Sequence, residues 1–178
     1  MSDKPSALTV VEFSHLFETH ARDVHRFALF LSGDPALADD IVSETFIRLW
    51  HARARVDLAT VRGYLLTIAR NLFLAEQRHA RRQAGLDESA ADAGPSVERR
   101  TAAEQELREV LAALQALPEV DRAAVLLRAE EGMSYEEVAA ALGISTAAAR
   151  VKVHRARLRL AEMRRAAPPP GAQRTRPS

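Results

Sequence analysis

Cysteine is absent from the 178 residues, which excludes disulfides, thiolate nucleophiles and Cys-bearing zinc sites and fits a reducing compartment. Aromatic residues make up only 5%, so with 47% hydrophobic residues overall the cores should be built from Leu, Val, Ala and Ile. No apolar run approaches the roughly 20 residues of a membrane span. The opening Met1-Ser2-Asp3-Lys4-Pro5 also lacks the basic-then-apolar plan of a signal peptide. A cytoplasmic chain with no membrane insertion is therefore expected. Gly-rich phosphate loops, nucleophile elbows and metal-ligand spacings are missing as well. His15, His20 and His25 are scattered along one helical pattern without an HExxH arrangement, so no metal, no cofactor and no catalytic residue is expected, and the chain reads as a non-enzyme. Net charge is nearly absent too, at +1, but this average conceals an acidic stretch from Gln83 to Asp121 and a strongly basic C-terminal part.

The most informative stretch runs from Met133 to Arg165, where two helical patterns meet at Leu142-Gly143-Ile144. Ser134 followed by Glu137 is a capping box, in which the Ser oxygen and the Glu carboxylate each take up a backbone N–H left free at a helix start. Val138, Ala139 and Leu142 give that helix an apolar face, Gly143 suits the left-handed residue that ends it, and Ser145 can cap a second helix. In the second helix Ala149, Val153, Ala156 and Leu160 share a face and should point inward. Arg150, Lys152, Arg155, Arg157, Arg159, Arg164 and Arg165 lie elsewhere on it, offset only by Glu162, a surplus that suits phosphates. The pattern is that of a helix-turn-helix.

Three amphipathic helices precede it near the N-terminus. The first spans about Thr9 to Ser32, with Phe13, Leu16, Phe17, Val24, Phe27 and Leu31 on one side, and Gly33-Asp34-Pro35 ends it and starts the next. The second, Pro35 to about Arg53, buries Ile41, Val42, Thr45, Phe46, Leu49 and Trp50 and leaves Asp39, Asp40, Glu44 and Arg48 outside. Those carboxylates either complement the helix dipole or form a docking surface for a basic partner. His51 to Ala59 loses the pattern and reads as a loop; Thr60 can cap a third helix reaching Arg82, with Tyr64, Leu65, Ile68, Ala69, Leu72 and Phe73 inward. That helix ends in a basic cluster, Arg78, His79, Arg81 and Arg82, suited either to the dipole or to nucleic acid.

An all-α chain of two small domains is the result. Residues 1–82 form the first; residues 83–97, rich in Gly, Pro, Ser, Ala and acids, form a flexible linker; residues 98–167 form a second domain of four helices; and 168–178 form a disordered tail. Within the second domain Leu107, Val110, Leu111, Leu114 and Leu117 make an apolar stripe, Pro118 begins another helix, and Gly132 closes it.

With these blocks in place the whole chain resembles a bacterial RNA polymerase sigma factor of the sigma-70 family, of the minimal two-domain extracytoplasmic-function type. DDIVSETFIRLW (Asp39 to Trp50) is similar to the helix of conserved region two that docks on the polymerase clamp, and GYLLTIARN (Gly63 to Asn71) to its promoter-melting helix. LQALPEVDRAAVLLRAEEGMSYEEVAAALGISTAAARVKVHRARLRL is similar to conserved region four throughout. The resemblance implies that Asp39, Asp40, Glu44 and Arg48 contact the clamp coiled coil of the largest polymerase subunit, with the flap of the second-largest subunit as a further partner. It implies that the loop carrying His51, Arg53, Arg55 and Asp57 holds a base flipped from the minus-ten element, and that Arg70, Asn71, Arg78, Arg81 and Arg82 follow the opened strand. Flipping a base costs a few kcal/mol, which stacking and hydrogen bonds must offset.

For the minus-thirty-five element the matching positions are Arg150, Val151, His154 and Arg155 for bases, with Lys152 and Arg157 better placed for phosphates and Ser145 at the start of the reading helix. Arg can bond two acceptors on guanine, whereas Val offers only apolar contact. The chain departs from the family pattern at Tyr64 (usually Trp), Ala75 (often acidic) and Ala147 to Ala149 (commonly Gly-Thr-Val), where Ala cannot donate the phosphate hydrogen bond of Thr. Core polymerase, promoter DNA and an anti-sigma factor are the implied partners. The competing reading is an autonomous helix-turn-helix regulator, which would normally dimerise on two half-sites.

Overall fold

The computed structural model describes residues 8–84 and 101–166, and those residues form seven helices and no strand. Local sequence sets each boundary. Thr9 caps α1 (Val10–Ser32) in a capping box with Glu12, and Gly33 ends it at φ 76. Asp34 accepts from the N–H groups of Ala36 and Leu37 to start α2 (Pro35–Ala52), with Pro35 in the first turn. The third helix is α3 (Val61–Ala84). After residues 85–100 come α4 (Ala102–Gln115), capped by a box of Thr101 and Glu104, and α5 (Glu119–Ala129), which follows Pro118. The expected helix-turn-helix is α6 (Tyr135–Leu142) and α7 (Thr146–Ala166), separated by Gly143 at φ 66. The Ser145 hydroxyl accepts from Ala148 N at 3.1 Å.

Helices α1 to α3 pack around Val24, Phe27, Leu31, Ile41, Leu49, Leu65, Leu66 and Phe73; α5 to α7 pack around Leu127, Val138, Val153 and Ala156. Leu31, Leu49 and Leu65 have no exposed surface, so trimming any of them to Ala should cost about 2–5 kcal/mol. Both groups of buried side chains belong to one continuous core, because α5 packs on α1, α6 on α3, and the end of α4 on α1.

Several expectations need correcting. Tyr64 is 39% exposed and Leu66 is buried instead, because the inward row of α3 runs Val61, Leu65, Ile68 or Ala69, and Phe73, and Tyr64 lies at the edge of that arc. Phe17 is 44% exposed at the open side of the first bundle, edge-on to Phe46 with 4.8 Å between ring centroids. This bundle also carries Phe13 against Trp50 at 5.1 Å, so aromatic packing contributes more to it than a 5% content suggested. In α4, Leu107 and Val110 are 43% and 44% exposed, and the stripe is buried only at Leu114 and Leu117, where the helix meets the bundle. Thr60 does not cap α3 with its hydroxyl, which donates to the Asp57 carbonyl at 3.4 Å. Gln83 and Ala84 continue α3 rather than opening the linker; both are good helix formers. The remaining expected linker residues, 85–97, and the expected tail, 168–178, lie outside the described residues.

Glu137 takes the backbone N–H of Ser134 at 2.6 Å, and that bond, with the Ser134 hydroxyl, holds its carboxyl below the usual range. A depressed carboxylate stabilises the fold at pH values above its unfolded value and ceases to do so as pH falls through the folded one. Glu137→Gln should therefore melt below the parent chain at pH 7, with the gap closing below about pH 4. Thermal melts at pH 7 and pH 3 test this; an equal gap at both would refute it.

Candidate nucleic-acid interface

Helix α7 is held by small residues: Ala149 and Ala156 have no exposed surface, and Val153 has 1%, which lets its backbone approach α5 and α6 closely. The opposite side is open. Val151 is 54% exposed, and Arg150, His154, Arg155 and Arg157 are exposed around it. Arg150 stands over the Tyr135 ring at 5.4 Å and 3.9 Å from Glu136, while Arg128 approaches the same ring at 5.1 Å and donates to the Met133 carbonyl. Tyr135 thus ties the start of α6 both to α5 and to the expected reading face. Lys152 and Arg155 are engaged differently: both reach Asp121 in the first turn of α5, which is 1% exposed.

The first bundle presents a second basic surface. His51, expected to open the loop, is instead exposed in the last turn of α2, because the helix runs on to Ala52; Arg55 and Asp57 are exposed in the loop after it, and Asn71, Arg78, Arg81 and Arg82 along α3. Arg53 folds back, its guanidinium 4.5 Å over the Trp50 ring and donating to the Trp50 carbonyl at 3.1 Å. Leu8 N donates to the Arg53 carbonyl at 3.1 Å and pins the loop to the segment just before α1. Asp57 accepts the N–H of Ala59 at 2.9 Å, a turn that delivers the chain into α3. Arg70 departs from the expected surface. It is 9% exposed, and its Nε and Nη2 grip Glu119 of α5 at 2.8 and 2.9 Å, because consecutive helical residues diverge and the direction that exposes Asn71 buries its neighbour. On α2, Asp39, Asp40 and Arg48 are exposed and Glu44 is half-buried; Arg48 bonds Glu44 at 2.8 Å and Asp39 lies 3.2 Å from His25.

Between the bundles lies a polar seam that the sequence pattern gave no reason to expect. Glu131, in the turn before α6, has a fully buried side chain: Arg26 of α1 reaches Oε1 at 3.0 Å, and Arg62 of α3 reaches Oε2 and the Glu131 carbonyl. Asp23 lies 3.3 Å from Arg26 and 3.8 Å from Arg62. Burial disfavours the Arg26 charge, but Glu131, Asp23 and Glu130 outweigh it and raise its pKa. Gln115 donates to the Phe30 and Leu31 carbonyls at the end of α1, and accepts from Arg122, which lies 5.8 Å over Phe73. Partners 69 and 105 residues apart leave no local signature.

Residues 16–83 match the family model for sigma-70 region 2, and residues 107–160 that for sigma-70 region 4. The chain is 34% identical to the ECF RNA polymerase sigma factor SigE of Mycolicibacterium smegmatis, over 89% of this chain and 68% of that protein. It is 35% identical to the RNA polymerase sigma factor CarQ of Myxococcus xanthus, over 85% and 88%. Among solved structures it is similar to the sigma factor RpoE of Bartonella quintana in complex with the anti-sigma factor NepR, with a TM-score of 0.77 and 25% identity over 88% of this chain and 98% of that one.

The seam makes a direct prediction. Removing the partners of a buried ion costs about 3–5 kcal/mol, so with Arg26→Ala and Arg62→Ala combined the bundles should part rather than bury Glu131 alone. Small-angle scattering should then show a radius of gyration clearly above the roughly 16 Å of a compact chain of this length. An unchanged radius would show that the seam does not hold the bundles together.

Proposed function

Because the chain belongs to the extracytoplasmic-function sigma factors of the sigma-70 family, subunits that direct RNA polymerase to specific promoters, we propose that its two bundles read two promoter elements from the two basic surfaces. Helix α7 reads the minus-thirty-five element through Arg150, Val151, His154 and Arg155, with Ser145 and Arg157 at phosphates. His51 at the end of α2 and the loop with Arg53, Arg55 and Asp57 take the flipped minus-ten base, and Asn71, Arg78, Arg81 and Arg82 follow the strand. The acidic outer face of α2, with Asp39, Asp40, Glu44 and Arg48, docks on the clamp coiled coil, and the second bundle meets the flap. The chain works in the cytoplasm as a binding subunit and catalyses nothing by itself.

The observation that carries this reading is that exposed cations cluster on both bundles, on helices matching two different conserved regions. An autonomous regulator would need only α6 and α7, and the match of residues 16–83 to region 2 disfavours it.

The seam bears on when each surface is available. Elements centred near minus ten and minus thirty-five lie about 85 Å apart along B-DNA at 3.4 Å per base pair. Two touching domains of this size have centres only about 30 Å apart. Both elements cannot be read while the bundles touch, so the arrangement seen is a closed one that must open on polymerase. The likeness to a sigma factor bound by an anti-sigma factor, covering both bundles, supports the same closed arrangement as the one an anti-sigma factor would hold here.

Run-off transcription with core polymerase on genomic fragments tests the function. Addition of the chain should switch on a defined set of promoters, and Asp40→Lys with Glu44→Lys should weaken core binding by about tenfold, or about 1.4 kcal/mol. Stimulation of no promoter would refute the assignment to this chain, and unaltered core affinity would refute the α2 docking face.

A further inference from the structure

Asp121 is a buried carboxylate on which two cations of the reading helix converge. Lys152 Nζ lies 3.2 Å from Oδ1 as a hydrogen bond, and Arg155 Nε lies 3.6 Å from Oδ2. The two cations are three residues apart on α7, on the flank between the buried row of Ala149, Val153 and Ala156 and the open row of Arg150, Val151 and His154. Sequence reasoning treated them as independent DNA contacts, Lys152 for phosphate and Arg155 for a base. The shared carboxylate prevents that.

A buried carboxylate that loses its last partner is strongly destabilised, so Asp121 cannot surrender both cations to DNA. The two differ in how firmly they are held. Lys152 makes the true hydrogen bond and its side chain is only 29% exposed, so its ammonium is held at Asp121. Arg155 is 51% exposed and approaches Asp121 through Nε at 3.6 Å, too long for a hydrogen bond. Its two terminal nitrogens keep their donors, and they form the half of the fork that matches two acceptors on guanine.

We infer that Asp121 is a positioning residue for promoter reading: it retains Lys152 as its counter-ion and aims the free end of the Arg155 guanidinium at a base edge. Lys152 is then no phosphate contact. Arg155 owes its base preference to a carboxylate on another helix, which restricts the guanidinium to fewer orientations. This rests on α7 being the minus-thirty-five reading helix.

Salt dependence separates a phosphate contact from an internal counter-ion, because each phosphate contact contributes about 0.9 to the slope of log affinity against log salt. The experiment uses the full chain bound to core polymerase and a promoter fragment selected by that holoenzyme, with the minus-thirty-five bases varied one at a time. Arg157→Gln should lower the slope by about 0.9, whereas Lys152→Gln should leave it unchanged. Asp121→Asn should steepen the slope by up to about 0.9 as Lys152 is released, and should flatten the preference at one base pair about tenfold or more. Arg155→Lys, which keeps the charge and the buried partner but lacks the fork, should lose the same preference with the slope intact. Lys152→Gln decides the counter-ion role even where Asp121→Asn folds poorly, and a folded Asp121→Asn with its preference intact would overturn the positioning role. A Lys152→Gln slope change equal to that of Arg157→Gln would overturn the proposal, as would Arg155→Lys with an unaltered preference. If Arg150→Ala, His154→Ala and Arg157→Gln all leave both readouts untouched, it is the assignment of α7 as the reading helix that has failed.

Discussion

Glu131 is a carboxylate with no exposed side-chain surface, and both guanidinium groups that hold it come from the other bundle. That contact decides which form of the molecule is seen. Burying a carboxylate costs several kcal/mol even after relaxation, and attraction to two cations repays this only with good geometry. The Arg26 and Arg62 side chains keep 35% and 41% of their surface in water, so their attraction is screened and the balance stays close to even. Such a contact defines a geometry without locking it. The bidentate bond of Arg70 to Glu119 and the Gln115 bonds to the end of α1 set the same register, from groups that water or polymerase can satisfy once the bundles part.

The closed arrangement treats α3 and α7 unequally. Helix α6 lies against the first half of α3: Gly63, Tyr64 and Thr67 share a cleft with Glu137, Ala140 and Ala141, and Arg62 and Arg70 are occupied. The far half of α3, with Arg78, Arg81 and Arg82, stays open, as does the whole outer face of α7. Closure therefore covers the first half of α3 while leaving the outer face of α7 accessible.

What could be read from the sequence divides along a physical line. Helix ends were legible because they depend on neighbours in the chain: the boxes of Ser134 with Glu137 and Gly143 at a positive φ are local chemistry. The inward row of α7 was legible because period alone selects Ala149, Val153 and Ala156. Tyr64 and Leu66 were exchanged because both fit a broad apolar arc, and only the position of α6 decides which lies at the edge. Charged residues were least legible. Arg70, Lys152 and Arg155 all looked like nucleic-acid contacts by sign and spacing, yet each has a carboxylate partner 49, 31 or 34 positions away. A cation's sign can be read from sequence, but its availability depends on tertiary packing.

Chain length between the bundles limits how far the seam can open. Residues 85–100 separate α3 from α4, and a segment of that length spans at most about 55 Å when fully extended. Added to the roughly 30 Å between the centres of touching domains, this is about the 85 Å that the two promoter elements require. The margin is narrow, so the distance between the elements is limited by the chain as well as by the polymerase that holds it. Closure and full extension are the two ends of one range. Because the electrostatic balance at Glu131 is near even, what must be separated in passing from one end to the other is the apolar packing of α5 on α1 and of α6 on α3.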